Sequence, residues 1–217
     1  MALVDADLKF MYIDVGRNGR MNNSGVWGAC DLKQHIESST SIFPDPQLLP
    51  HSDQSAPFVI VGDEGFGLKP YLMRPCSAKD GLNTSSRIFN YRLSRARRVV
   101  ENAFGVLSNR WRVFQAPMRH CPDRVEDIVF ATVALHNLLR DRKTTRVLYT
   151  PADMVDMEDI ATLTIREGTW RNQASTTGIL SLPHRGCNHS LQAKEIRELF
   201  TKHFMNEGAV SWQWIHS

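Results

Sequence analysis

The 217-residue chain is poor in cysteine, has no long apolar run, and lacks the short signatures of several enzyme classes. Only four cysteines occur, at positions 30, 76, 121 and 187. Their scatter excludes a secreted scaffold built on disulfides. No apolar run reaches the ~18 residues that a membrane-crossing helix needs. The first residues, MALVDADLKF, do not carry a basic segment, an apolar core and a small-residue cleavage site, so they do not read as a secretory signal. A reducing compartment, nucleus or cytoplasm, is the expectation. Phosphate-binding P-loop, dinucleotide glycine and nucleophile-elbow motifs are all missing, which removes the motif support for those three chemistries. There is no internal repeat.

What is present is an uneven distribution of charge. The whole chain carries 26 Lys and Arg against 23 Asp and Glu, a net +3. Residues 1–86 are net −3, residues 87–146 net +8 and residues 147–217 net −2. A basic block of this kind is either a polyanion-binding surface or a solvated helix face. The hydrophobic fraction of 42% is that of an ordinary folded chain.

The pattern of residues predicts a mixed α/β chain. A hairpin is expected across Asp5–Leu8, joining Ala2–Val4 to the strand formers of Lys9–Val15. Gly16–Gly25 reads as a loop and Val26–Ile36 as a short helix. Residues 38–57 hold four prolines and read as a surface connection. Phe58–Val61 is wholly apolar and suits a strand buried on both faces of a parallel or mixed sheet. It runs into the glycine-rich turn Gly62–Gly67, which places Asp63 at the C-terminal end of the strand, where α/β sheets collect functional groups. Residues 87–114 have the three- and four-residue spacing of one long amphipathic helix. Pro122-Asp123 opens a second helix, whose expected buried stripe is Val125, Ile128, Val129, Thr132, Leu135 and Leu139. Pro151 with Asp153, Asp156, Glu158 and Asp159 reads as an exposed linker, and residues 190–206 as a last helix. Domain limits follow: 1–146 for the main domain, and 147–217 for an acidic linker and helical extension.

Asp63 and Glu101 are the candidate acids. Two carboxylates at a sheet edge can hold Mg²⁺ or Mn²⁺, which prefer oxygen ligands, and metal ions so held activate water for phosphodiester cleavage. The alternative is that Asp63 caps its own turn while Glu101 pairs with Arg97 or Arg98. The arginines Arg92, Arg95, Arg97, Arg98, Arg110 and Arg112 flank Glu101. Guanidinium forks suit phosphate oxygens, though arginines on a long helix also serve as solvated ion pairs. His136 reads as a buried, hydrogen-bonded histidine. His184, Cys187 and His189 lack a fourth zinc ligand at a standard spacing. Trp170, Trp212 and Trp214 read as packing residues.

Four blocks carry a resemblance. They are VIVGDEGFGLKPYLMRP at 59–75, FNYRLSRARRVVENAFG at 89–105, RWRVF at 110–114 and LHN at 135–137. In order and spacing they resemble the PIF/Harbinger-type DDE transposases and the domesticated nuclease-like proteins derived from them. The GAVSWQ stretch at 208–213 is similar as well. The resemblance implies an RNase H-like mixed sheet flanked by helices, on which three acids converge on divalent metal. It implies DNA-strand cleavage, with Asp63 as the second acid and Glu101 as the third.

Two departures from that pattern shape the expectation. The family's first acid lies on a central strand upstream of the hairpin, and this chain starts at the hairpin, so that strand and acid are expected to be absent. The glycine loop at 19–25 carries Asn23 where the family commonly has a further acidic metal ligand, so Asn23 is a weak candidate ligand. The expected function is a transposase-derived DDE nuclease domain impaired in cleavage, a nuclear protein with DNA and a separate DNA-binding protein as expected partners. The other reading is a non-catalytic nuclear DNA- or protein-binding module that uses the Arg-rich region 87–124.

Overall fold

The structure is a computed structural model that describes residues 1–17, 21–38, 42–78, 81–159, 162, 164–173 and 190–216. Elements follow in the order β1 (Ala2–Val4), β2 (Phe10–Ile13), α1 (Asn23–Ala29), α2 (Asp31–Ser38), β3 (Gln47–Leu48), β4 (Ser55–Ala56), β5 (Ile60–Val61), β6 (Leu72–Met73), α3 (Thr84–Arg110), α4 (Pro122–Asp141), α5 (Lys143–Tyr149), β7 (Met157–Asp159), β8 (Thr164–Arg166) and α6 (Leu191–Met205). The chain is thus mixed α/β. Its described strands form two-stranded sheets, antiparallel for β1–β2, β3–β4 and β7–β8 and parallel for β5–β6. No described helix is long and apolar enough to cross a membrane.

Two compact units divide the chain. One combines Met1–Asn18 with Arg98–Ser181, the other Gly19–Arg97 with Leu182–Ser217. Helix α3 contributes its first half to the second unit and its last half to the first.

In the first unit the expected hairpin forms, with Leu3 opposite Tyr12 and an irregularity at Val4. Leu8 in its turn adopts a positive φ of 62°. Leu8 and Phe10 bury against Ala103 and Leu107 of α3 and Val133 of α4. Removing a buried leucine such as Leu107 to alanine costs about 2–5 kcal/mol, because the cavity adds to the lost transfer energy. Val106, Tyr149 and Met154 make a second cluster, with Trp170 packed against it.

Helix α4 begins at Pro122, whose missing N–H costs nothing at a first helical position. Its inner face follows much of the expected stripe, with Thr132 buried and Val129 and Leu139 packed against the core, and departs from it at Leu135. Thr132, Val133, His136 and Arg140 are buried, whereas Leu135 is 41% exposed. His136 and Arg140 take the inner face because the hairpin turn beneath them offers carbonyls to bond, while Thr132 bonds back to its own helix. His136, read as buried and hydrogen-bonded, is both.

In the second unit the expected helix at 26–36 is two helices, α1 and α2, broken at Cys30, whose ψ of 147° is extended. Trp27 and Ile36 are buried. The 38–57 connection contains the small β3–β4 hairpin. Strand β5 is shorter and less buried than its sequence suggests. Ile60 and Val61 are half-buried and Phe58 is 41% exposed, and β6 is the strand that pairs with β5. Strand formers set the extended backbone, but burial depends on what the rest of the fold lays over it. Leu68, Met73, Phe89, Leu93 and Ala193 form the core, which joins the loop after β5 to α3 and α6.

Candidate functional site

The turn that follows β5 carries Asp63, and this unit holds it from two sides. Asp63 caps the turn itself, since its Oδ1 accepts from Gly65 N at 2.7 Å while Phe66 N donates to its backbone oxygen at 3.2 Å. From α1, Asn23 Nδ2 donates to both carboxylate oxygens, at 2.9 and 3.2 Å. The neighbouring Ser24 hydroxyl donates to Gly65 O at 2.5 Å. From β6's end, buried Arg74 donates to Glu64 O and Phe66 O, both at 3.2 Å. The structure therefore brings Asn23 and Asp63 together, as the resemblance implied, but with the amide nitrogen facing the carboxylate. An acceptor-only carboxylate dictates that orientation.

Glu101 lies on α3 in the first unit. Arg171 lies 3.7 Å away, and Arg98 pairs with Glu158 at 3.4 Å. Arg171 grips Asp156 far more closely, through Nε at 2.9 Å and a second nitrogen at 2.5 Å. Asp156 also accepts from Gly168 N at 2.8 Å, and its side chain is fully buried. Burial pushes the Asp156 carboxyl up, yet the bonds from Arg171 and Gly168 outweigh it and hold it below its ordinary range. Of the residues read as an exposed acidic linker, Asp153 and Asp159 are exposed and Asp156 is not.

The arginines divide by their surroundings. Arg92 donates to Gln213 Oε1 at 3.2 Å and sits 4.7 Å over Phe204 and 5.4 Å over Trp212. Burial, then the like charge of Arg95, hold Arg92 below its ordinary range. Arg95 lies 4.0 Å over the Trp212 ring. Trp212 is a packing residue in this sense, a lid on guanidinium groups, while Trp214 is 43% exposed. Arg97 is half-buried. Arg110 donates to the carbonyls of Tyr149 and Leu148 at 2.7 and 3.0 Å. Arg112 is exposed, as are Arg87, Arg119 and Arg124. His184, Cys187 and His189 lie outside the described residues.

Three asparagines have structural roles that the sequence did not disclose. Each clasps the backbone N–H and C=O of a single residue with its side-chain amide. Asn137 holds Phe10 at 2.9 Å in both directions. Asn90 holds Cys76 at 2.7 and 3.0 Å, and Asn102 holds Asp156 at 2.8 and 3.3 Å. Beside Asn137, His136 donates Nε2–H to Leu8 O at 2.7 Å and accepts from the Tyr149 hydroxyl at 2.9 Å through Nδ1. Burial lowers its pKa, so the ring is held neutral. Arg140 donates to Asp7 O. A helical His-Asn pair one turn from an arginine was the available signal for a backbone grip, but its target lies over 120 residues away in sequence.

A divalent cation wants several hard oxygen ligands in one place. Asp63 and Asn23 offer oxygens in kind, but the amide already turns its nitrogen to the acid. Among the described residues no group of three His, Cys, Asp or Glu could hold a metal ion. The donor set around Asp63 does not fit the ion.

Comparison with known proteins gives the lineage. Residues 1–137 match the family described as DDE superfamily endonuclease. The chain is 31% identical over 143 residues to a protein of Arabidopsis thaliana called "Protein ALP1-like". That stretch covers 64% of this chain and 34% of the relative, so the chain spans about a third of the length of the curated relative it matches. No solved structure matches. The span of the family match, which includes Asp63, Glu101 and the His136-Asn137 pair, shows that the chain belongs to the DDE superfamily endonucleases.

Proposed function

We propose that this chain is a transposase-derived nuclease domain of PIF/Harbinger type, with an RNase H-like ancestry, that engages DNA in the nucleus and is impaired in cutting it. Endonucleases of this superfamily generally use divalent metals, and the family implies a DNA substrate. The observation that carries the proposal is the family match over 1–137 combined with the clasp on Asp63. Metal-supported hydrolysis would need Asp63 and Glu101 as ligands. Asp63 instead accepts from a neutral amide, and Arg171 stands beside Glu101. The exposed Arg112, Arg119 and Arg124 supply cations for phosphate oxygens. A separate DNA-binding protein is the further partner this reading expects.

The test is plasmid binding and nicking side by side. Binding should weaken with salt, with a log–log slope of about −0.9 for each phosphate neutralised. Arg112→Glu and Arg119→Glu should each flatten that slope. Nicking in Mn²⁺ should be weak, and what remains should fall to background in Asp63→Ala and Glu101→Ala. Strong Mn²⁺-dependent nicking that both alanine variants abolish would show an intact nuclease. Salt-insensitive or absent binding would sink the DNA reading.

The second reading is a wholly non-catalytic DNA- or protein-binding module built on residues 87–124. The exposure of Arg87, Arg112, Arg119 and Arg124 within that span favours it. It is separated from the first by residual nicking that depends on Asp63.

A further inference from the structure

Asp63 is held too completely for a side chain awaiting a ligand. A carboxylate offers about four lone-pair positions. Gly65 N and the two contacts of Asn23 Nδ2 already occupy three of them. The turn also packs closely on α1: a Cβ on Gly65 would stand 2.8 Å from both Asn23 Nδ2 and Asp63 Oδ1. Ser24 ties the same end of α1 to the turn through Gly65 O, and Arg74 ties the turn's other carbonyls. Every one of these bonds ends on Asp63 or on its turn.

We infer that Asn23 is the resident partner of Asp63, an internal amide donor in the place of a bound cation, so that the turn's order is independent of divalent metal. The inference rests on the proposed function only in taking Asp63 as a site residue. A cation bound to both carboxylate oxygens of Asp63 would have to displace the amide that now donates to them. Changing Asn23 to aspartate reverses the chemistry while leaving the size almost unchanged. Two carboxylates would then face each other about 3 Å apart, an arrangement that like charges disfavour unless a cation lies between them.

The test is thermal unfolding of the full chain in EDTA and in millimolar MnCl₂ at matched ionic strength. The wild-type Tm should be the same in both. Asn23→Asp should unfold about 5 °C lower in EDTA and recover as Mn²⁺ is added, with the rise growing with concentration. Wild-type protein stabilised by Mn²⁺, with the gain lost in Asp63→Asn, would overturn the inference. So would an Asn23→Asp variant as stable as wild type in EDTA and indifferent to Mn²⁺. Should Asn23→Asp fail to fold in EDTA, refolding on Mn²⁺ supports the inference. Failure to refold in Mn²⁺ while Asn23→Ala folds in EDTA overturns it. Plasmid binding by the wild-type chain, measured on the same samples, bears on the proposed function alone.

Discussion

Asp63 and Asp156 make an instructive pair. Each accepts from the N–H of a nearby glycine, Gly65 at 2.7 Å and Gly168 at 2.8 Å. They differ in their second partner and in their access to water. Asp156 is fully buried and bound in two places by the charged Arg171, while Asp63 is half-buried and bound by the neutral Asn23. A sealed carboxylate needs a charged partner, since burying the ion alone is prohibitive. A half-open one can make do with dipoles and retains charge at the surface. Asp156 therefore belongs to the architecture, whereas Asp63 keeps a face open to water.

The sharpest way to break the comparison is to remove Asp156. Asp156→Ala strands Arg171 and Gly168 N, and should destabilise the chain by about 3–5 kcal/mol in urea unfolding. The stability that Asp156 contributes has a defined pH range. Its folded pKa is depressed, so the contribution is present above the ordinary carboxylate pKa and is lost as pH falls through the folded value. The acid limb of the stability curve should therefore flatten in the variant.

His136→Ala comes next, at about 2–3 kcal/mol, because it leaves Leu8 O and the Tyr149 hydroxyl without their partner. The sign is the same as for Asp156. Burial depresses the histidine pKa, so the unfolded chain binds the proton first. Stability is full above about pH 6.5 and falls below it. The conservative His136→Gln should remove that slope.

Gly105→Ala should cost about 1–3 kcal/mol, since the new Cβ would stand 2.2–2.6 Å from the Trp170 ring, and something must shift. Asp63→Asn should change stability least, by about 1 kcal/mol or less, because its donors are neutral and water reaches it. Should Asp63→Asn match Asp156→Ala in cost, the distinction between sealed and open acids fails.

Helices were more legible in the sequence than the acids' surroundings were. The spacing at 87–114 foretold α3 within a few residues, and Pro122 foretold the start of α4. Those signals are local, carried by side chains three or four residues apart. The hairpin at Asp5–Leu8 was equally local. Partners across the fold were not legible. Arg98 finds Glu158, 60 residues away, and no spacing rule encodes that. In α4 the departure is Leu135, which is 41% exposed while Thr132 is buried and Val129 and Leu139 pack against the core. Burial of β5 was overestimated because an apolar run reports strand preference and not the number of neighbours.

Asn90, Asn102 and Asn137 each grip the main chain of one residue, and Asn102 also accepts from the Trp170 indole. Every amino acid except proline presents the same N–H and C=O. Residues 10, 76 and 156 can therefore change identity without disturbing the grip itself. The asparagines cannot, since aspartate lacks the donor and glutamine moves the amide one carbon outward. Sequence drift at these contacts is thus permitted on one side only, and a substitution survey of this chain should find intolerance at the three helical asparagines that is independent of which residue each one holds.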